Sequence, residues 1–78
     1  LVLYAGGYSC AVESGTLYKA LLSLPEKQRN ILLLDFWCDL IDEEISKQME
    51  VTTRTVYNLR RRAFSKVREF YKKRGRDP

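Results

Sequence analysis

Between Thr52 and Lys66 the chain sets out polar and cationic side chains of the kinds that hydrogen-bond to nucleic acid. Arg54 offers a planar fork that fits the major-groove edge of a guanine, and Asn58 a donor–acceptor pair that fits an adenine edge. Thr53 adds a methyl group suited to the thymine methyl. Thr52, Tyr57, Arg61, Arg62 and Lys66 suit phosphate oxygens, contacts that position a protein without specifying a sequence. For Tyr57 the alternative is packing on the preceding helix. For the run Arg60-Arg61-Arg62 it is a solvated helix face salt-bridged to acidic residues elsewhere.

Other chemistry finds no footing in these residues. The chain has no His, no carboxylate pair set in a recognisable pocket and no glycine-rich loop to cradle phosphate. An enzyme is therefore not expected, nor a cofactor or a small-molecule substrate. Cys10 and Cys38 lack metal-ligand spacing, so neither a metal site nor a disulfide framework is expected. A reduced, cytoplasmic setting is the simplest reading.

The polar residues need elements to position them, and the stretch Asp42 to Leu59 supplies a pattern for two short helices crossing through a tight turn. Ile45 and Met49 place two apolar side chains one turn apart, and Ser46 between them is small enough to let a second helix approach. Val51 sits in the turn, where one apolar residue must tuck beneath both helices. Val56 and Leu59 follow on the inner face of the second helix. The residue at the turn favours positive φ and is frequently Gly; here it is Glu50, which costs roughly 1–2 kcal/mol if left-handed.

The rest of the chain supports this pair. The spacing predicts a first helix from about Gly15 to Ser23 capped by Ser14, with Leu17, Ala20, Leu21 and Leu24 as its apolar stripe. A second runs from about Pro25 to Asp39, opened by Pro25 and a capping-box spacing of Ser23 and Glu26. Its face comprises Ile31, Leu34 and Cys38, widened by Leu32, Phe36 and Trp37, the last two read as core. A third spans about Asp42 to Met49, capped by Asp42, with Glu43 and Glu44 suited to its positive end. The fourth starts at Thr53 with Thr52 as cap and continues to about Lys73. Val56, Leu59, Ala63, Val67 and Phe70 recur along its inner side, Phe70 and Tyr71 pack on the first or second helix, and Gly75 and Pro78 act as a stop. Residues 1–13 lack helical period and read as an extended or strand-like arm turning at Gly6-Gly7.

The expected fold is all-α: a bundle of three to four helices with a helix-turn-helix and a long C-terminal recognition helix. The arm covers 1–13, the DNA-binding domain 14–74 and a tail 75–78. Seventy-eight residues make one modest core, since a domain near this size buries only about 60% of its unfolded surface. No apolar run approaches the roughly 18 residues of a membrane span. No signal peptide is recognisable, and the missing N-terminal Met suggests a fragment of a longer protein. Charge is uneven: residues 1–45 carry three basic against seven acidic side chains, residues 46–78 eleven against three. Net −4 thus faces net +8, for the total of +4, which suits one face for a polyanion and another for a different partner.

The stretch LPEKQRNILLLDFWCDLIDEEISKQMEVTTRTVYNLRRRAFSKVREF, Leu24 to Phe70, resembles the C-terminal promoter-recognition domain, region 4, of sigma-70 family RNA polymerase sigma factors. The shared features are LPEKQR opening the second helix, the apolar ILLL run, EEIS leading the helix-turn-helix, and TRTV followed by arginines. GTLYKALLSLP upstream resembles the short helix before that domain. Arg60 to Lys66 also resembles the pattern of small sigma-like regulators from Gram-positive mobile elements and toxin loci.

The resemblance implies reading of the −35 promoter element on double-stranded DNA, and docking of the apolar helices on the β-subunit flap of RNA polymerase. It implies base contacts at Thr53, Arg54 and Asn58 and backbone contacts around Tyr57 and Arg61. Ile41 stands where the family usually has a Ser or Thr cap, and Glu50 where Gly or a small polar residue is common. No promoter-melting segment is present in these residues. Two other readings stand beside this one: a response-regulator effector domain, and a helical interaction module that binds polymerase or an anti-sigma partner without reading DNA.

Overall fold

Gly6 and Gly7 take φ values of 54° and 84°, and a two-residue turn with both φ positive is the one whose twist matches antiparallel strands. It joins β1 (Val2–Ala5) to β2 (Tyr8–Ala11), pairing Leu3 with Cys10 and Tyr4 with Ser9. Leu3, Ala5, Cys10 and the following Val12 are buried, whereas Leu1, Val2 and Tyr4 are exposed. This computed structural model describes residues 1–75.

The expectation of an all-α fold is corrected by this hairpin: the chain is mostly helical with a small two-stranded sheet. A lone hairpin is marginal in water, and here its apolar face is completed by the helices. The Trp37 indole N–H donates to the Ala11 carbonyl at 2.8 Å, and Gln48 Nε2 donates to the Gly6 carbonyl at 3.2 Å. A Cβ added at Gly6 would lie 2.7 Å from Gln48 Nε2, so the turn sits close against the third helix. The strand-like arm expected at residues 1–13 thus contributes Leu3, Ala5, Cys10 and Val12 to the core.

Helix α1 (Gly15–Leu22) begins as expected, with Ser14 Oγ accepting from the Leu17 N–H at 3.2 Å. It stops at Leu22, one residue short of the expected end. Ser23 turns its hydroxyl back to the Ala20 carbonyl at 2.6 Å and so does not form the expected capping box with Glu26. Pro25 is instead the N-cap of α2 (Glu26–Leu32).

The expected single helix to Asp39 is also corrected. After Leu32 the chain continues as a π-helix, Leu33–Trp37, closed by the Cys38 N–H on the Leu33 carbonyl at 3.2 Å. Ile31, Leu32, Leu33 and Leu34 are all buried, so this segment is enclosed on nearly every side. The wider turn delivers Trp37 to the hairpin and leaves Phe36 57% exposed, contrary to its assignment to the core. Asp39, with φ 54°, ends the segment.

Helix α3 (Asp42–Met49) is not capped by Asp42. Ile41 is its N-cap and has no polar side-chain atom, so only half a capping box forms: the Ile41 N–H donates to Glu44 Oε1 at 3.0 Å. Helix α4 (Thr53–Gly75) runs two residues beyond the expected Lys73. Gly75 is thus still helical, and the Pro78 stop and most of the 75–78 tail lie outside the described residues. Lys72, Lys73 and Arg74 occupy the last turn of α4, where the helix dipole favours cations.

Helices α2 and α3 both pack on α4. The shared core joins Leu21, Ile31, Leu33, Leu34, Ile45, Val56 and Ala63 to the hairpin's inner face. Cys10 and Cys38 adjoin there as free thiols. Burial, with the neighbouring Cys38 thiol adding to it, pushes the Cys10 thiol up to about 11. Among the described residues no helix is long and apolar enough to cross a membrane, and no cluster of metal-ligating side chains occurs.

Candidate nucleic-acid interface

The turn between α3 and α4 fixes where the polar residues of α4 point. Glu50 takes the left-handed conformation, φ 57° and ψ 45°. Its N–H bonds the Lys47 carbonyl at 3.3 Å, and the Val51 N–H bonds the Ser46 carbonyl at 2.9 Å. This paired closure is a Schellman motif, which satisfies carbonyls that a helix end otherwise leaves open. A non-glycine residue bears the positive φ here, as the spacing anticipated.

The inner pattern is assembled in register. Ile45 and Val56 are fully buried, and Met49, Val51 and Leu59 pack against the same cluster half-buried. Ser46 is half-buried too, its hydroxyl donating to the Glu43 carbonyl at 2.8 Å. Thr52 caps α4: its Oγ1 accepts from the Thr55 N–H at 3.1 Å and lies 3.0 Å from Thr55 Oγ1.

With Val56, Leu59, Ala63 and Val67 turned inward, the other side of α4 is open. Thr53, Arg54, Tyr57, Asn58, Arg61, Arg62 and Lys66 are all exposed. At helical spacing Arg54, Asn58 and Arg61 follow one another along one line. The line continues into an open hollow lined by Asn58, Arg61, Arg62, Ser65, Lys66 and Glu69. Ser65 and Glu69 were not singled out in the sequence; only their helical offset from Asn58 marks them. Tyr57 is 52% exposed. The Arg61 guanidinium stacks over its ring at 5.8 Å from the centroid, a cation–π contact that holds both side chains outward.

The arginine run divides. Arg61 and Arg62 face solvent, but Arg60 turns back onto the protein with its side chain 18% exposed. Arg60 Nε donates to Asp35 Oδ2 at 3.0 Å; its two terminal nitrogens donate to both oxygens of Asp42, Nη1 at 3.3 Å to Oδ2 and Nη2 to Oδ1. The hydrogen-bonded guanidinium holds the Asp42 carboxyl below the usual carboxylate range. Asp42 chiefly, with Asp35 adding to it, raises the Arg60 pKa further. Asp42 thus serves as an acceptor for α4 rather than as the cap of its own helix.

Helix-turn-helix geometry, an open cationic second helix and an apolar inner pattern now stand together, and a family model described as sigma-70, region 4 matches residues 14–67. The chain belongs to the sigma-70 region 4 family. The match covers more than two thirds of the chain and leaves out the hairpin. No curated protein and no solved structure matches. Sigma-70 region 4 domains are DNA-binding regulators of transcription with a role in promoter recognition alongside RNA polymerase, not enzymes. In this region 4 domain α3 and α4 are the helix-turn-helix.

Proposed function

We propose that this domain recognises the −35 promoter element with the N-terminal half of α4 and docks on the β-subunit flap of RNA polymerase. Thr53, Arg54 and Asn58 contact base edges, since the first turns of a recognition helix enter the major groove. Tyr57, Arg61, Arg62 and Lys66 contact phosphates. Thr52 joins them through its backbone, because its hydroxyl already serves the helix cap. The supporting observation is the uninterrupted exposure of Arg54, Asn58 and Arg61 along one line of α4, opposite a fully assembled inner face.

Polymerase docking draws on a different surface. Phe36 and Phe64 stack edge to face at 5.7 Å while remaining 57% and 41% exposed, with Ile41 at 60%. That aromatic pair also favours the second reading, a module that binds a protein partner without reading DNA. Duplex binding over a salt series separates the two. Neutralising each phosphate contributes about −0.9 to the log–log slope, so a DNA reader loses affinity steeply as salt rises. No binding at low salt leaves only the interaction module.

A further inference from the structure

Arg60 lies in the middle of the most basic stretch of the recognition helix, one residue after Leu59 of the inner face and one before Arg61 of the outer one. A phosphate contact is what such a position ordinarily provides. Here its guanidinium is satisfied by two carboxylates from two separate elements: Asp35 in the π-helix and Asp42 in the first turn of α3.

The arrangement constrains α4 in a way the apolar contacts do not. The inner face of α4 at this level is Val56, Leu59 and Ala63, short side chains whose contacts are non-directional. Such a ridge fixes the distance between helices more firmly than the roll of one about its own axis. A two-pronged guanidinium–carboxylate pair fixes direction as well as distance. Adding Asp35 as a second anchor, on a different element, removes the pivot that a single pair would leave. A roll of roughly 20° would carry an outer side chain by about 2 Å at the radius of a helix with its side chains. That is enough to take a hydrogen bond to a base edge out of range.

We propose that Arg60 is a specificity-positioning residue. It contacts no phosphate; through Asp35 and Asp42 it sets the roll of α4, and so determines whether Arg54 and Asn58 meet the base edges together. This inference rests on the promoter-reading proposal above. It also accounts for the π-helix and α3 each placing one carboxylate beside a recognition helix, where unpaired anions would repel DNA. Arg60 offsets one of the two negative charges while using both carboxylates as anchors.

The test uses the 78-residue chain and a randomised duplex DNA pool, with sequencing of the bound fraction to give base preference at each position, and a salt series on the same pool. Arg60→Met removes the fork and keeps an apolar stem. Asp42→Asn weakens the same pair without removing positive charge, and serves where Arg60→Met folds poorly. Both variants are expected to flatten the base preferences several-fold while leaving the salt slope unchanged. Exchanging the partners, Arg60→Asp with Asp42→Arg, is expected to restore part of the preference.

A slope reduced by about 0.9 with preferences retained makes Arg60 a phosphate contact and overturns the proposal. Unchanged preferences with only a lower melting temperature make it a stabilising ion pair and do the same. If the parent chain binds no DNA at low salt, the promoter-reading proposal falls and takes this one with it. Undiminished preference in variants of a parent that does bind removes this one alone.

Discussion

Arg60 and Asp42, eighteen residues apart, form a two-pronged ion pair that ties α4 to the first turn of α3. The same guanidinium reaches Asp35 of the π-helix. Three elements therefore meet at one side chain, at the level where α4 passes from inner face to outer.

This pair makes acid stability depend on Asp42. Its carboxyl is held below the ordinary value of 3.8 by the Arg60 hydrogen bonds. A depressed folded-state pKa contributes stability that is present above the unfolded value and lost as pH falls through the folded one. Below about pH 4 the parent is expected to lose stability more steeply than Asp42→Asn, as read by urea midpoints at successive pH values. Parallel curves for the two chains would deny the pair this role.

Glu50 carries a positive φ without being glycine. An L-residue in that conformation costs about 1–2 kcal/mol, and glycine recovers most of it. Glu50→Gly is expected to raise stability by about 1 kcal/mol, a shift of roughly 4–8 °C in melting temperature for a domain of this size. A lower melting temperature would mean that the Glu50 side chain stabilises the turn by some other contact.

The Trp37 indole holds the hairpin through the Ala11 carbonyl. Trp37→Phe keeps a ring but deletes the donor, at a cost of about 1 kcal/mol. Amide hydrogen exchange is expected to accelerate in β1 and β2 more than in α4. Acceleration spread evenly over the chain would show instead that the hairpin and helices open as one unit.

Burial raises the Cys10 thiol to about 11 from an ordinary value of 9.0. The folded state therefore retains a proton that the unfolded chain has already released. That contribution is complete below pH 9 and disappears as pH rises through 11. The parent is expected to lose stability across this window more steeply than Cys10→Ala. Equal slopes in chemical denaturation would show the thiol to be solvated.

Much of this was legible because it depends on spacing alone. The inner residues from Ile45 to Leu59, the caps at Ser14 and Thr52 and the open line of Arg54 and Asn58 follow from a period of 3.6 and from which residues satisfy orphan N–H groups. What escaped depends on contacts distant in sequence. The π-helix is invisible in an apolar run that reads equally well as α. The contact that Trp37 makes at its end is with the Ala11 carbonyl, 26 residues away. Phe36 looked like core because its type is apolar, but the widened turn rotates it outward. Asp42 looked like a cap because it begins a helix, yet Arg60 claims its carboxylate. The sheet was half visible: the Gly-Gly turn was apparent, whereas the burial of Leu3, Ala5 and Cys10 against helices was not.

The central claim is that α4 reads bases with its first turns and holds phosphates with the next. It is tested most directly by comparing Arg54→Ala and Arg61→Ala across a panel of duplexes that differ at single positions. Arg54→Ala is expected to cost about 1–3 kcal/mol and to relax preference at one position. Arg61→Ala is expected to weaken all sequences alike and lower the salt slope by about one. Uniform weakening by Arg54→Ala, with every preference intact, would contradict the account.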